Sequence, residues 1–282
     1  MLRQNPFVDI GCLVRVSDDT PMAAIRQSIA LAARYQTHLS ILIAVQTFVA
    51  PYTPLWSGMA NSIAAEVNEQ AQKQGASLAE TAEAEAKAAG VVADVQVVAG
   101  VFAELGSRAA RVARSVDLVV VDQQHGALDT TEMLLEEALF RSGRPVLVAS
   151  PRRQSIDEVR SIVVGWDGSA HAARAVSDAL ATFTTLQKVE IVTISGEKSL
   201  KGILPGADYA EHLARKGLEV TLTDIAADGR SVADILDGRA IETKADLIVT
   251  GAFGHSRLRE FLLGGVTVEL TEKAVTPVLM AY

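Results

Sequence analysis

Short apolar runs alternate along the chain with longer segments in which apolar residues recur every three or four positions. The short runs are rich in Val, Ile and Leu, which predicts strands buried on both faces of a sheet, and the longer segments predict covering helices. An α/β fold follows, with an open, mainly parallel sheet and helices on both faces. The predicted strands are 10–16, 39–45, 93–98, 118–122, 145–149, 161–165, 189–194, 218–225, 247–250 and 277–281. The predicted helices are 21–35, 57–89, 102–115, 131–142, 170–183, 206–216, 231–243 and 266–274.

The pattern of strands and helices occurs twice, as in a tandem duplication. We therefore expect two Rossmann-like domains, residues 1–150 and 161–282, each with a five-stranded sheet. Residues 151–160, a polar segment with three arginines, form the predicted linker. The matching segments are 13–20 with 162–169 at an offset of 149, 117–122 with 246–251 at 129, and 144–150 with 276–282 at 132.

Composition and charge exclude several classes of protein. With 49% hydrophobic residues among 282, the chain buries a core and is not disordered. Its 26 Lys and Arg against 34 Asp and Glu exclude a basic nucleic-acid module. Cys12 is the only cysteine, which excludes an internal disulfide. The sequence has no signal-like apolar segment and no run near the ~20 apolar residues that span a bilayer, so we expect a cytoplasmic protein without membrane insertion.

Glycines cluster after the predicted strand 247–250 and before the predicted helix 266–274. Glycine lets a backbone approach a ligand closely, and the first turn of a helix offers free N–H groups that favour phosphate. In an open parallel sheet, ligands bind beyond the carboxyl ends of the strands. The segment therefore predicts a phosphate-bearing ligand in the second half. The four glycines are Gly251, Gly254, Gly264 and Gly265.

The spacing of Gly251, Gly254 and Gly264 resembles the Gly-x2-Gly-x9-Gly segment of the universal stress protein family. The Asp-Gly-Ser turn within 163–169 and the terminal strand at 276–280 are similar to the family's as well. One departure is Gly265, which stands where the family usually has Ser or Thr. The resemblance covers both halves, but the binding signature lies only in the second. It implies an adenine nucleotide alpha hydrolase-like fold that binds ATP, or ADP or AMP, together with Mg²⁺.

Carried over position by position, the resemblance implies a binding site built from three strand ends and one helix start. Asp167 would lie near the ribose and the α-phosphate, with Gly165 and Trp166 close to the base. Ile194 would form a wall of the adenine site, and residues 264–267 would cap the phosphates. The full implied set is Gly165, Trp166, Asp167, Ile194, Gly251, Gly254, His255, Arg257, Gly264, Gly265, Val266 and Thr267.

Structural alternatives stay open for several of these residues. Asp167 also fits a helix cap, and Trp166 fits a core or interface position. Gly251 and Gly254 also fit a simple turn after a strand, and Arg257 also fits a solvated position.

No catalytic residue is predicted. The sequence lacks a Walker A loop, and Asp167, Ser169 and His171 do not face one another at a helix start. No general base stands beside the predicted phosphate site, so any ATP hydrolysis is expected to be slow.

The resemblance implies a nucleotide-dependent stress-response sensor with an unidentified protein partner. Two other classes remain open: a nucleotide-independent interaction protein with structural glycines, and a slow ATP-using enzyme.

The first half has lost the glycines. At the same offsets it carries Asp122, His125, Glu132 and Met133, whose side chains and charge oppose phosphate, so we expect no ATP there in this mode. Its segment 47–59, rich in aromatic residues and proline, is either a partner-binding surface or a loop packed on its own domain. The resemblance further implies that the last strands of the halves pair with each other and that whole chains form a homodimer.

Overall fold

The structure is a computed structural model of the chain. It describes residues 9–17, 22–50, 57–123, 130–153, 155–156, 158–195, 206–252 and 265–282. The elements of the first half are β1 Asp9–Arg15, α1 Ala23–Tyr35, β2 His38–Gln46, α2 Ser57–Ala88, β3 Ala93–Gly100, α3 Phe102–Arg114, β4 Leu118–Asp122, α4 Thr130–Arg141 and β5 Val146–Ala149. Those of the second are β6 Ser161–Gly165, α5 Ala170–Thr182, β7 Lys188–Ser195, α6 Gly206–Arg215, β8 Glu219–Ala226, α7 Val232–Thr243, β9 Leu247–Gly251, α8 Gly265–Lys273 and β10 Val278–Ala281.

The strands of both halves form one sheet, in the order β3-β2-β1-β4-β5-β10-β9-β6-β7-β8. Neighbours within each half are parallel, whereas β5 and β10 are antiparallel, with Val148 opposite Val278 and Val146 opposite Met280. The predicted α/β class with a mainly parallel sheet is confirmed, and so is the predicted pairing of the last strands. No helix in the described ranges has the length and the hydropathy needed to cross a membrane.

Two apolar cores lie on opposite faces of the sheet. One packs α1, α2, α5 and α6 against the strands, and the other packs α3, α4, α7 and α8. Successive strand residues alternate between them: Leu118 and Val120 of β4 belong to the first core, and Val119 and Val121 to the second. Because both faces are covered, the strands need apolar residues at nearly every position, as the sequence pattern indicates.

The hydrogen-bonded register corrects the alignment of the first strands. Ile10 pairs with Leu118, and Ile162 pairs with Leu247. Since Leu118 and Leu247 are equivalent in the repeat, Ile10 corresponds to Ile162, and the predicted offset of 149 is wrong for this strand. A continuous run of similar apolar residues fits several registers, so the sequence alone could not fix the repeat offset of this strand.

By the same register, Arg15 corresponds to Asp167 in the repeat, and not Asp18, as the predicted offset implied; Asp18 lies outside the described residues. The first half has a longer connection between its first strand and first helix than the second half has.

Candidate functional site

The candidate site lies where β6, β7 and β9 end and α8 begins. Gly165, the last residue of β6, is level with Val192 of β7 and Thr250 of β9. Val192 and Ile194 belong to the core on the α7 and α8 side, so their side chains lie on that face of the sheet. Ile194 is buried, which fits an apolar wall at the end of β7.

Asp167 shapes the turn that leads into α5. Its Oδ1 accepts a hydrogen bond from the Ser169 N–H at 2.9 Å, and Gly168 between them has a φ of +74°. The helix cap itself is Ser169, whose Oγ accepts from the Ala172 N–H at 3.1 Å. The cap alternative thus belongs to Ser169, and Asp167 is half-buried with one carboxylate oxygen engaged in the turn.

Trp166 lies on the opposite face of the sheet from Ile194. Its indole belongs to the α5 and α6 core and stacks on Tyr209 of α6, with 4.1 Å between the ring centroids and 12° between the planes. The indole Nε1 is buried and has no hydrogen-bond partner among the described residues. The structure therefore favours the core alternative for Trp166 and does not bring it beside Ile194.

Gly251 allows α5 to approach the end of β9. A Cβ at Gly251 would lie 2.6 Å from the Ala172 nitrogen and 2.8 Å from the His171 carbonyl carbon. At Gly165 a Cβ would lie 2.8 Å from Leu236 Cδ1, the flexible end of a side chain. Gly251 thus has a packing role that spacing alone did not reveal.

The start of α8 presents its first-turn N–H groups at the same end of the sheet. Gly265 is the first described residue of the helix, and no described atom outside its own turn lies within 4 Å of the position that a Cβ would take there. Val266 packs against the core, and Thr267 is buried. The remaining residues implied by the resemblance, Gly254, His255, Arg257 and Gly264, lie outside the described residues.

The first half fills the equivalent region with polar side chains. Asp122, at the position of Gly251, is buried and accepts a hydrogen bond at 2.9 Å from the Ala24 N–H in the first turn of α1. Burial raises the pKa of the Asp122 carboxyl to about 7. Arg15, which corresponds to Asp167 in the repeat, donates from Nε to Thr131 Oγ1 at 2.8 Å. Sequence reasoning missed Arg15 and Thr131 because their proximity depends on the register of β1.

Among the described residues, no group of three or more His, Cys, Asp or Glu side chains is placed to hold a metal ion.

Comparisons with known proteins agree with this architecture. A universal stress protein from Archaeoglobus fulgidus is 15% identical, with 98% of this chain and 96% of that chain covered and a TM-score of 0.65. A putative universal stress protein from Pseudomonas aeruginosa is 12% identical, with 98% and 93% covered and a TM-score of 0.52. A universal stress protein in complex with cAMP is 25% identical, with 44% and 97% covered and a TM-score of 0.32. No curated protein matches.

The first two likenesses extend over nearly the whole chain and define its class: an α/β protein with the fold of tandem universal stress proteins. Residues 158–281 match the sequence model of the universal stress protein family. The second half of the chain therefore matches that family in sequence, and the chain as a whole shares the fold of its tandem members.

Proposed function

We propose that the second half binds an adenine nucleotide, ATP or else ADP or AMP, and that the protein acts as a nucleotide-dependent regulator in a stress response. The observation that carries the proposal is the start of α8 at Gly265, where no described atom lies within 4 Å of the position of a Cβ, at the same end of the sheet as Gly165 and Gly251. Free N–H groups at a helix start favour phosphate. Ile194 supplies an apolar surface for the base, and Asp167 a carboxylate for the ribose hydroxyls.

The described residues fit a nucleotide, with the phosphates at the start of α8 and the ribose near Asp167. Mg²⁺ bound with ATP would screen the negative charge of its phosphates. Asp167 would orient the sugar through the carboxylate oxygen that the turn does not use. Arg257 and His255 fall within the proposed phosphate segment and are assigned to it on sequence spacing alone.

A regulatory role is supported by contacts that run from the site to the first half. His171, next to Gly251, stacks on Tyr282 with 4.8 Å between ring centroids, and Tyr282 makes an edge contact with Phe140 of α4 at 5.0 Å. A ligand that shifts the first turn of α5 would therefore also shift a helix of the first half.

We further propose that residues 1–150 and 161–282 act as two domains with 151–160 as linker, that the first domain binds no nucleotide in this mode, and that the protein is a cytoplasmic homodimer.

Exchanging Gly265 for glutamate tests the nucleotide site. The glutamate places a negative charge at the first turn of α8, where the phosphates are proposed to bind, and none of the described side chains lies within 4 Å of its Cβ position. Two like charges about 5 Å apart at an effective dielectric of about 20 repel by roughly 3 kcal/mol, so affinity should fall about 100-fold. Calorimetric titration with ATP, ADP, AMP and cAMP, each with and without Mg²⁺, measures the affinity of the variant and of the wild-type protein.

Gly265→Gln is the matched control, because it adds the same bulk without the charge. It should retain affinity within about tenfold of the wild-type protein. Absence of binding of every nucleotide to the wild-type protein, or equal losses in the two variants, contradicts the proposed site.

One observation favours a second candidate, an interaction protein that needs no nucleotide. The close approach of α5 explains Gly251 by packing alone. In that case the purified protein carries no nucleotide but retains a protein partner, whereas the favoured function predicts nucleotide released on denaturation of the purified protein.

A further inference from the structure

The two edges of the sheet differ in how they are protected. Among the described strands, β3 and β8 are the edge strands. Exposed edges offer free backbone groups to other strands, and proteins often protect them with charged residues. β8 carries Glu219 at one end and Asp224 near the other. β3 has a single charge, Asp94, and residues 95–100 carry none. Among the described residues, the β3 edge is therefore the less protected of the two.

Backbone hydrogen bonds define which residues of β3 face outward. The Leu39 N–H donates to the Val92 carbonyl at 3.1 Å, and the Thr47 N–H donates to the Gly100 carbonyl at 2.9 Å. In a parallel ladder, alternate residues direct both backbone groups to the neighbouring strand. Even-numbered residues of β3 thus bond to β2, and the odd-numbered residues, Val97 at their centre, direct their N–H and carbonyl groups to the open side.

A positively charged cleft lies beside this edge. It has a volume of about 560 Å³ and is lined by Val98 and Ala99 of β3 and by Ser107, Arg108 and Arg111 of α3, with Glu104 also on its wall. Arg108 and Arg111 are exposed and form no ion pair with the described residues. Arginine pairs well with carboxylates because its planar fork donates two parallel hydrogen bonds.

We propose that the outer edge of β3 binds an extended acidic segment of a partner protein, which adds a strand to the sheet and places carboxylates against Arg108 and Arg111. Backbone pairing at the odd-numbered residues supplies affinity, and the arginines supply the preference for acidic side chains. A second copy of this chain fits less well. Antiparallel pairing of two β3 strands about a twofold axis would bring the arginines of both α3 helices to the same face near that axis, where they repel.

Fluorescence anisotropy with a labelled eight-residue peptide of alternating valine and glutamate tests the proposal. The same peptide with lysine in place of glutamate is the charge control. The wild-type protein should bind the glutamate peptide at least tenfold more tightly than the lysine peptide. The double variant Arg108→Glu/Arg111→Glu should reverse that preference, since both residues are exposed and their exchange leaves the core intact.

Val97→Pro tests the backbone pairing. Proline removes an outward N–H and leaves the bonds to β2 in place, so glutamate-peptide affinity should fall at least tenfold. Leu222→Pro is the matched control on β8, where the Glu219 and Ala227 N–H groups bond to β7 and even-numbered residues face outward. It should leave peptide affinity unchanged, and circular dichroism melting verifies that both variants fold.

Three outcomes overturn the proposal. The first is equal affinity for the two peptides. The second is undiminished binding to folded Val97→Pro. The third is absence of peptide binding together with a Val97→Pro variant that loses a dimer in sedimentation, which would identify the edge as a contact between copies of this chain.

Discussion

Replacing Gly251 with alanine is expected to lower the free energy of unfolding by about 3 kcal/mol. The added Cβ would lie 2.6 Å from the Ala172 nitrogen and 2.8 Å from the His171 carbonyl carbon. Both are backbone atoms of the first turn of α5, so relief requires the helix to move and not a side chain to rotate. Urea unfolding followed by tryptophan fluorescence measures the change.

Gly165→Ala is the matched control, since it adds the same methyl group to the strand that ends beside Gly251. Its Cβ would lie 2.8 Å from Leu236 Cδ1, which another rotamer can withdraw. The cost should therefore stay below about 1 kcal/mol. Equal losses in the two variants would mean that α5 is free to shift, and the packing role of Gly251 would be wrong.

The strands could be predicted from the sequence because they are buried on both faces of the sheet. Strands such as β4 and β9 are covered on both faces, so nearly every position is apolar and the strands are visible in the sequence. The amphipathic segments between them cover the two faces. The pairing of β5 with β10 was implied by the family resemblance, not by the apolar pattern itself.

The details of the site were less predictable, since they depend on register and on distant contacts. The apolar run 10–14 fits several registers, and the pairing of β1 with β4, not the side chains, shows that Arg15 is the repeat equivalent of Asp167. Alternation along β6 indicates which face Trp166 occupies, but only the position of α6 reveals the stack on Tyr209. The packing demand at Gly251 arises from α5, some 80 residues earlier in the chain.

Asp122 stands in the first half at the position that Gly251 has in the second. Because the Asp122 carboxyl is buried, the stability of the protein should depend on pH. Its folded-state pKa of about 7 lies above the value of about 3.9 for an unfolded chain. Between these values the folded protein holds a proton that the unfolded chain has released. The contribution of Asp122 to the free energy of unfolding is therefore full below about pH 4 and is lost as the pH rises to about 7. Above about pH 7 the contribution of Asp122 no longer changes with pH.

Asp122→Asn should therefore stabilise the protein more at pH 8 than at pH 5, by a difference of about 2–3 kcal/mol. The amide oxygen still accepts from the Ala24 N–H but has no proton to lose. Urea unfolding of both proteins at the two pH values measures the difference, and Asp234→Asn, at an exposed position of α7, is the control for removal of a carboxylate. A gain of the same size at both pH values would mean that Asp122 is already ionised in the folded protein at pH 5, with its carboxylate stabilised by the first turn of α1 and by Arg15.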